Sequence, residues 1–301
     1  MESLSRGWSF MQQAWQMVFK DKDLIKPSLY ALIVGVFVSI IGIIPLIAAA
    51  FLLGGNGSLV GQIAMVVIGA ILIFAHYIVS YIFSGMTVYL IYGYLSEGDG
   101  RMDKAWAKVQ REFWNIISLA AASTVVNLFT NQLRHGRSRR SGAGFIGSAL
   151  GGLIDTVWTE ASYLILPAMM IEDANLAAGV KRATQIAKDN LILIGVSTVG
   201  VSWVTGLISF VLGAVGLMFG LGVGFGLISL FNSGTMALVL GIGLGAMIFF
   251  VFAMVASIIS SYTMTAYNTC LFLWACEVEK ARAQGRPIQV AAPAPLAAAL
   301  V

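Results

Sequence analysis

Two kinds of segment alternate along the chain. Short stretches of mixed polarity carry apolar residues every three or four positions, and each is followed by long stretches almost free of charge. In residues 3–20 (SLSRGWSFMQQAWQMVFK), Leu4, Trp8, Met11, Trp15, Val18 and Phe19 form one apolar stripe, with Gln12, Gln13 and Gln16 beside it. That spacing predicts an amphipathic helix. It is too polar to cross a bilayer, and tryptophan on its apolar face suits a helix lying in a membrane interface, with Trp8 and Trp15 as anchors.

An apolar run then covers 28–53, with Pro45 expected to kink its outer end. A turn at GGNGS (54–58) leads to a second run over 59–94. EGDGRMDKAWAKVQREFWN repeats the opening pattern of polar turn and basic amphipathic helix, before runs at 114–133 and 145–171 separated by the basic loop RHGRSRR (134–140). A third amphipathic helix is expected over 174–190. Beyond it lie two uncharged runs, 191–231 and 235–276, each about 40 residues long. A span needs about 20 residues. Either these two helices project from the membrane or each breaks in two, with GAVGLMFGLGVGFG (213–226) as the break and FNSG (231–234) as the turn between the runs. The fold expected is an all-α polytopic transmembrane helix bundle of six spans, with eight as the alternative, carrying three interfacial amphipathic helices.

One order therefore occurs three times, amphipathic helix, span out, span back, over 1–98, 99–173 and 174–285. The returning spans share SYIFSGMT, SYLILPAM and SYTMTAYN, and each leaves through acidic residues: Glu97, then Glu172 with Asp173, then Glu277 with Glu279. Residues 1–285 are read as one integral membrane domain. The tail 286–301, rich in alanine and proline and without a charge after Arg286, is expected to be disordered and cytoplasmic.

Composition agrees with this division. The chain is 58% hydrophobic and only 11% charged, against about 25% charged in soluble domains, which excludes an ordinary soluble core. Its first 27 residues are too polar for the apolar core of a signal peptide, so they are expected to be retained. With both termini inside, fourteen of the 18 Lys and Arg residues face the cytoplasm, and only Arg134, Arg137, Arg139 and Arg140 lie outside. The partners implied are the bilayer and its anionic headgroups at the cytoplasmic face, contacted through Lys181 and Arg182 among others. Nothing suggests nucleic acid.

Chemistry-bearing motifs are scarce. The chain has no nucleophile elbow, zinc-protease motif or phosphate loop, so neither catalysis nor a cofactor or metal is expected. Cys270 and Cys276 read as buried structural thiols. The small-residue pairs Gly216/Gly220, Gly220/Gly224 and Gly241/Gly245 suit close helix packing, within the chain or between copies of it. The polar candidates inside the spans are His76, Asn127, Asp155 and Glu160. Counted from the inner helix ends, Glu160 lies roughly 16 Å deep, near the midplane. A carboxylate there costs about 2.5–3.5 kcal/mol on insertion scales. It is either a protonated group hydrogen-bonded between helices, with Asp155 paired to an outer arginine, or part of a proton or cation path running from Asp155 past Asn127.

The opening RGWSFMQQAWQMVFKDKDLIKPSL and the segment LPAMMIEDANLAAGVKRATQIAKDN resemble a family of uncharacterised prokaryotic polytopic membrane proteins. They are distantly similar to the membrane domain attached to some glycerophosphoryl diester phosphodiesterases. The resemblance implies a helical domain of the prokaryotic cytoplasmic (inner) membrane, and no activity. The expected function is a non-enzymatic membrane-organising or interaction protein. The alternative is a small transporter or channel using Glu160.

Overall fold

The computed structural model describes residues 2–54, 57–135, 143–189, 191–230, 235–285 and 292–300. Among these the chain is helical throughout, without a strand. The helices are α1 (Glu2–Lys20), α2 (Lys26–Leu52), α3 (Leu59–Glu97), α4 (Met102–Arg111), α5 (Phe113–His135), α6 (Ala143–Glu172), α7 (Leu176–Asp189), α8 (Leu191–Leu230), α9 (Thr235–Ala283) and α10 (Ala294–Leu300).

Five helical segments are long and apolar enough to cross a membrane: Lys22–Leu52, Leu59–Glu97, Phe113–Arg134, Gly200–Leu230 and Leu238–Ala283. A sixth, Gly147–Glu172, qualifies together with Leu176–Lys188, from which it is bent by 117°. No residue in the most apolar windows of α2 and α3 is buried inside the chain. Side chains such as Ile41, Ile44, Phe51 and Val66 stand exposed there. Apolar faces this extensive are stable against hydrocarbon, not water.

Local chemistry sets the helix ends. The Ser58 side chain accepts a hydrogen bond from the Gly61 N–H at 2.9 Å to start α3. Gly98, at φ 80°, closes that helix in the left-handed region. Asn175 caps α7 by accepting from the Ala178 N–H at 2.9 Å. Pro45 lies inside an unbroken α2.

The buried core gathers at one end of the bundle, where the short helices α1, α4, α7 and α10 collect; we call this end the base. Phe10, Leu24, Leu90, Ile91, Ile165, Met169, Tyr267 and Phe272 are fully buried there. Away from the base the long helices diverge as antiparallel pairs, α2 with α3, α5 with α6 and α8 with α9.

Three expectations are resolved. Of the two alternatives for the long runs the unbroken one is found: α8 is one helix of 40 residues and α9 one of 49, so the glycine run at 213–226 does not break the chain. Glycine at these positions serves packing: a Cβ at Gly220 would lie 2.5 Å from the Gly245 carbonyl oxygen, and one at Gly224 2.9 Å from that of Gly241. The FNSG turn lies outside the described residues. Second, the tail is not wholly unstructured, since α10 docks against α1 and α9 with Pro295 and Leu296 buried. An alanine-rich segment with a few large apolar residues folds as a helix once a neighbouring groove covers it.

The third concerns α1, whose expected stripe is divided: Met11 and Val18 are buried, while Trp8 and Phe19 stand exposed, and the buried side also takes in Phe10, Ala14 and Met17. Trp15 donates through Nε1 to the Thr263 hydroxyl at 3.3 Å and packs edge-on to Tyr262 at 5.8 Å. It is thus engaged in packing within the chain. An apolar stripe has the same spacing whether lipid or protein covers it.

Candidate binding cavity

A cavity of about 650 Å³ opens between α3, α6, α8 and α9 where these helices begin to part. Its floor toward the base is buried: Val88, Ser162, Leu166 and Thr265. Its opposite end carries the exposed Ser80, Thr159, Ser257 and Ser261. The cavity is thus closed by the core on one side and open on the side away from the base.

The lining is hydroxyl-rich. Helix α3 contributes Tyr77, Ser80, Tyr81 and Ser84, helix α6 Thr159, Ser162 and Tyr163, helix α8 Ser209, and helix α9 Ser257, Ser260, Ser261 and Thr265. Among the described residues, no Asp, Glu, Lys, Arg or His lines it. The wall is tied across three helices at Ser123 of α5, whose Oγ accepts from Trp158 Nε1 at 2.9 Å and lies 2.7 Å from the Tyr81 hydroxyl. That bonding fixes the aromatic side of the cavity.

Elsewhere in the bundle, serine and threonine hydroxyls commonly bond back to the carbonyl one turn earlier. Ser39 does so to Gly35 at 2.9 Å, Thr87 to Phe83 at 3.1 Å and Thr124 to Ala120 at 2.8 Å. The hydroxyls of Ser80, Ser84, Ser209, Ser257, Ser260, Ser261 and Thr265 form no side-chain hydrogen bond among the described residues. Thr265 is only 5% exposed, and no buried side-chain oxygen among the described residues lacks a partner, so its hydroxyl is open to the cavity space. Hydroxyls facing a cavity in this way can donate to and accept from a ligand or water.

The four polar residues singled out in the spans are not brought to one site. Asp155 pairs with Arg134 of α5 at 2.8 Å. Arg137, Arg139 and Arg140 lie outside the described residues. Asn127 accepts from Asn131 at 3.1 Å and lies within reach of the Tyr77 hydroxyl at the cavity's edge. His76 Nε2 lies 3.0 Å from the Ser39 hydroxyl, inside the α2–α3 pair. Glu160 has no hydrogen bond or ion pair among the described residues. Trp158, Thr159, Ser162, Tyr163 and Leu166 share the cavity face of α6. At 3.6 residues per turn Glu160 points roughly 130° away from the middle of that face. The path from Asp155 past Asn127 to Glu160 is not formed.

The glycines Gly216, Gly220, Gly224, Gly241 and Gly245 all lie on the contact between α8 and α9, Gly216 against Phe252. Within the chain they let α8 and α9 approach closely, and Gly220, Gly224, Gly241 and Gly245 also line an open groove along that pair.

At the base, acidic helix exits meet basic short helices. Asp173 takes hydrogen bonds from Lys108 and Arg111, and these hold its carboxyl well below the usual range. Arg182 bridges Glu172 at 3.0 Å and Glu279 at 2.5 Å, and also touches Cys276. Burial opposes the charge on Arg182, but the two carboxylates outweigh it and the guanidinium is held charged. Lys104 pairs with Glu97 at 2.8 Å. Arg182 therefore joins α6, α7 and α9 through its ion pairs, while Lys181 remains exposed. Of the two thiols, Cys270 is buried and Cys276 stands partly exposed beside this cluster.

An exposed aromatic belt around the base was not read from the sequence apart from Trp8 and Phe19. It comprises Trp8 at 48% exposure, Phe19, Trp106 and Trp114. The signal available for Trp114 was its place at a polar-to-apolar switch, REFWNII. Among the described residues no group of His, Cys, Asp and Glu could hold a metal ion. Compared with known proteins, the chain matches no family model and no curated protein.

Proposed function

We propose that the chain is a six-span protein of a cytoplasmic membrane, with the base on the cytoplasmic side, that binds and translocates a neutral polar molecule through the hydroxyl-lined cavity. The observation that carries this reading is the set of unpaired hydroxyls facing one uncharged cavity. Such a surface offers donors and acceptors without a counter-ion, so it favours a ligand that is itself rich in hydroxyl or amide groups and carries no net charge. A cavity open on one side and sealed by packed core on the other is the form expected of one end state of an alternating-access carrier. The aromatic belt and the basic short helices at the base support the orientation. The role is non-enzymatic. Glu160 has no part in it.

The test is reconstitution of the full chain in liposomes with uptake of labelled glycerol and labelled glucose. Uptake above empty liposomes that saturates, and that Ser257→Trp abolishes by filling the cavity, is the expected result. Uptake no faster than empty vesicles, together with no shift in melting temperature from either solute, removes free polyols and sugars as cargo, and failure of a lipid bearing such a head to bind as well removes the carrier reading. A membrane-organising role would then gain weight, because α1, α4 and α7 present a ring of exposed aromatic and basic side chains at the base.

A further inference from the structure

A second, apolar groove of about 440 Å³ runs along the α8–α9 pair, lined by Leu217, Gly220, Leu221, Gly224, Leu238 and Ala246 among others. Phe249 lines both this groove and the hydroxyl cavity. The two are also continuous along their helices. On α9, Leu238, Ile242, Gly245, Phe249, Ala253 and Ser257 follow one another at spacings of three and four, so one face leads from the groove into the cavity. On α8, Ser209 and Gly213 of the cavity lie on the same face as Leu217, Gly220 and Gly224 of the groove. The glycines make this trough, since they leave no side chain on the seam where α8 and α9 touch.

We infer that the ligand of the cavity is a lipid with a neutral, hydroxyl-bearing headgroup: its head sits among the serines and an acyl chain lies in the α8–α9 groove. This rests on the cavity reading above and names its substrate class. From Leu238 to Phe249 the groove extends about 16 Å at 1.5 Å per residue. Hydrocarbon is about 30 Å thick, so the trough is long enough for one chain of one leaflet. The cavity has no cationic side chain to compensate a phosphate and no anionic one to compensate an amine, and an uncompensated charge in such a site is strongly disfavoured. A sugar or polyol head can instead use the unpaired hydroxyls of Ser257, Ser260, Ser261 and Thr265. In a bilayer the groove gains little over ordinary lipid contacts, since lipid tails are as apolar as leucine. Its role is to hold the head at the cavity mouth, raising its local concentration there.

The experiment uses the full chain in phosphatidylcholine nanodiscs and tritiated monoglucosyl-dioleoylglycerol as the probe. Saturable binding is expected, displaced by the unlabelled glycolipid and not by phosphatidylglycerol of the same chains. Ala246→Trp fills the exposed groove and Ser257→Trp fills the cavity, and each should weaken binding about tenfold or more, while Ala246→Ser keeps it. Melting curves identify any variant that fails to fold, and Leu221→Trp then replaces Ala246→Trp as the groove block. Binding that Ala246→Trp and Leu221→Trp leave unchanged, or that free glucose displaces as well as the glycolipid does, overturns the lipid inference and leaves the cavity reading standing. Equal displacement by phosphatidylglycerol overturns the neutral-head assignment. If labelled glucose binds and the glycolipid does not, the lipid inference alone falls; if neither binds, both readings fall.

Discussion

A carboxyl group in a membrane helix can meet a cation, find a hydrogen-bond partner or stay alone, and the two acidic residues of α6 take different courses. Asp155 lies one turn nearer the open end than Glu160 and reaches Arg134 at 2.8 Å across the α5–α6 pair. Both partners are about one-third exposed, so the pair is worth about 1 kcal/mol at most. Glu160 has no such partner among the described residues, and it points away from the cavity. Glu160→Leu should therefore not destabilise the protein, since it removes a polar group that hydrocarbon disfavours and breaks no bond. The melting temperature of that variant should equal or exceed that of the wild type, and glycolipid binding should be unchanged. A clear fall in melting temperature would show that Glu160 has a partner after all. The sequence made Glu160 prominent because a carboxylate in an apolar run is conspicuous. The serines that line the cavity were inconspicuous, since single serines are ordinary in membrane helices. Only their convergence from α3, α6, α8 and α9 sets them apart, and spacing along one segment carries no record of it.

Within single elements, what the sequence can disclose depends on whether the signal is local. Run length and lack of charge are local, and they delimit α2, α3, α5 and α6 closely, Trp114–Leu133 as expected against Phe113–His135 as found. What covers an apolar stripe is not local. Trp8 and Trp15 lie seven residues apart on one stripe, yet Trp8 is half exposed and Trp15 packs on Tyr262. Trp15→Ala should cost about 3 kcal/mol or more through the cavity it leaves, and Trp8→Ala well under 1 kcal/mol; denaturant titration in detergent separates the two. The glycine run of α8 could be read as packing or as a break, because glycine both weakens a helix and lets another approach it. A matched pair of substitutions resolves its roles. The Cβ of Gly220→Ala would meet the Gly245 carbonyl oxygen at 2.5 Å, whereas that of Gly222→Ala meets nothing within 4 Å. Gly220→Ala should force α8 and α9 apart and lower the melting temperature, while Gly222→Ala should leave it unchanged or raise it through better helix propensity, by about 0.5–1 kcal/mol. Equal effects of the two would mean that the seam does not depend on backbone approach.

Across the whole molecule, the base is held both by an apolar core and by ion pairs, of which Lys108 and Arg111 with Asp173 and Arg182 with Glu279 join segments far apart in sequence. Residues 97, 172, 173 and 279 end the returning helices, and their carboxylates meet Lys104, Lys108, Arg111 and Arg182 of α4 and α7. Charge counting alone assigned these cations to lipid headgroups; the fold pairs them with the acidic exits. Asp173 is the most connected of them. It sits at φ 55°, a left-handed conformation that Asp and Asn tolerate better than most residues, and this bend turns the chain from α6 into α7. Hydrogen bonds from Lys108 and Arg111 lower its pKa from the ordinary 3.8. A carboxyl with a lowered folded pKa contributes stability that is fully present above about pH 4, near its unfolded value, and is lost as pH falls through its lower folded value. The protein should thus hold its melting temperature from pH 7 down to about 4.5 and lose stability progressively below that. Asp173→Asn keeps the backbone preference and removes the charge, leaving Lys108, which is only 8% exposed, with Glu112 at 3.8 Å as its remaining partner. It should lower stability at pH 7 by about 1 kcal/mol and make the decline between pH 4.5 and 2.5 shallower than in the wild type. Parallel melting curves for the two proteins over that range provide the measurement. An unaltered acid profile in Asp173→Asn would show that Asp173 is not the source of the acid sensitivity.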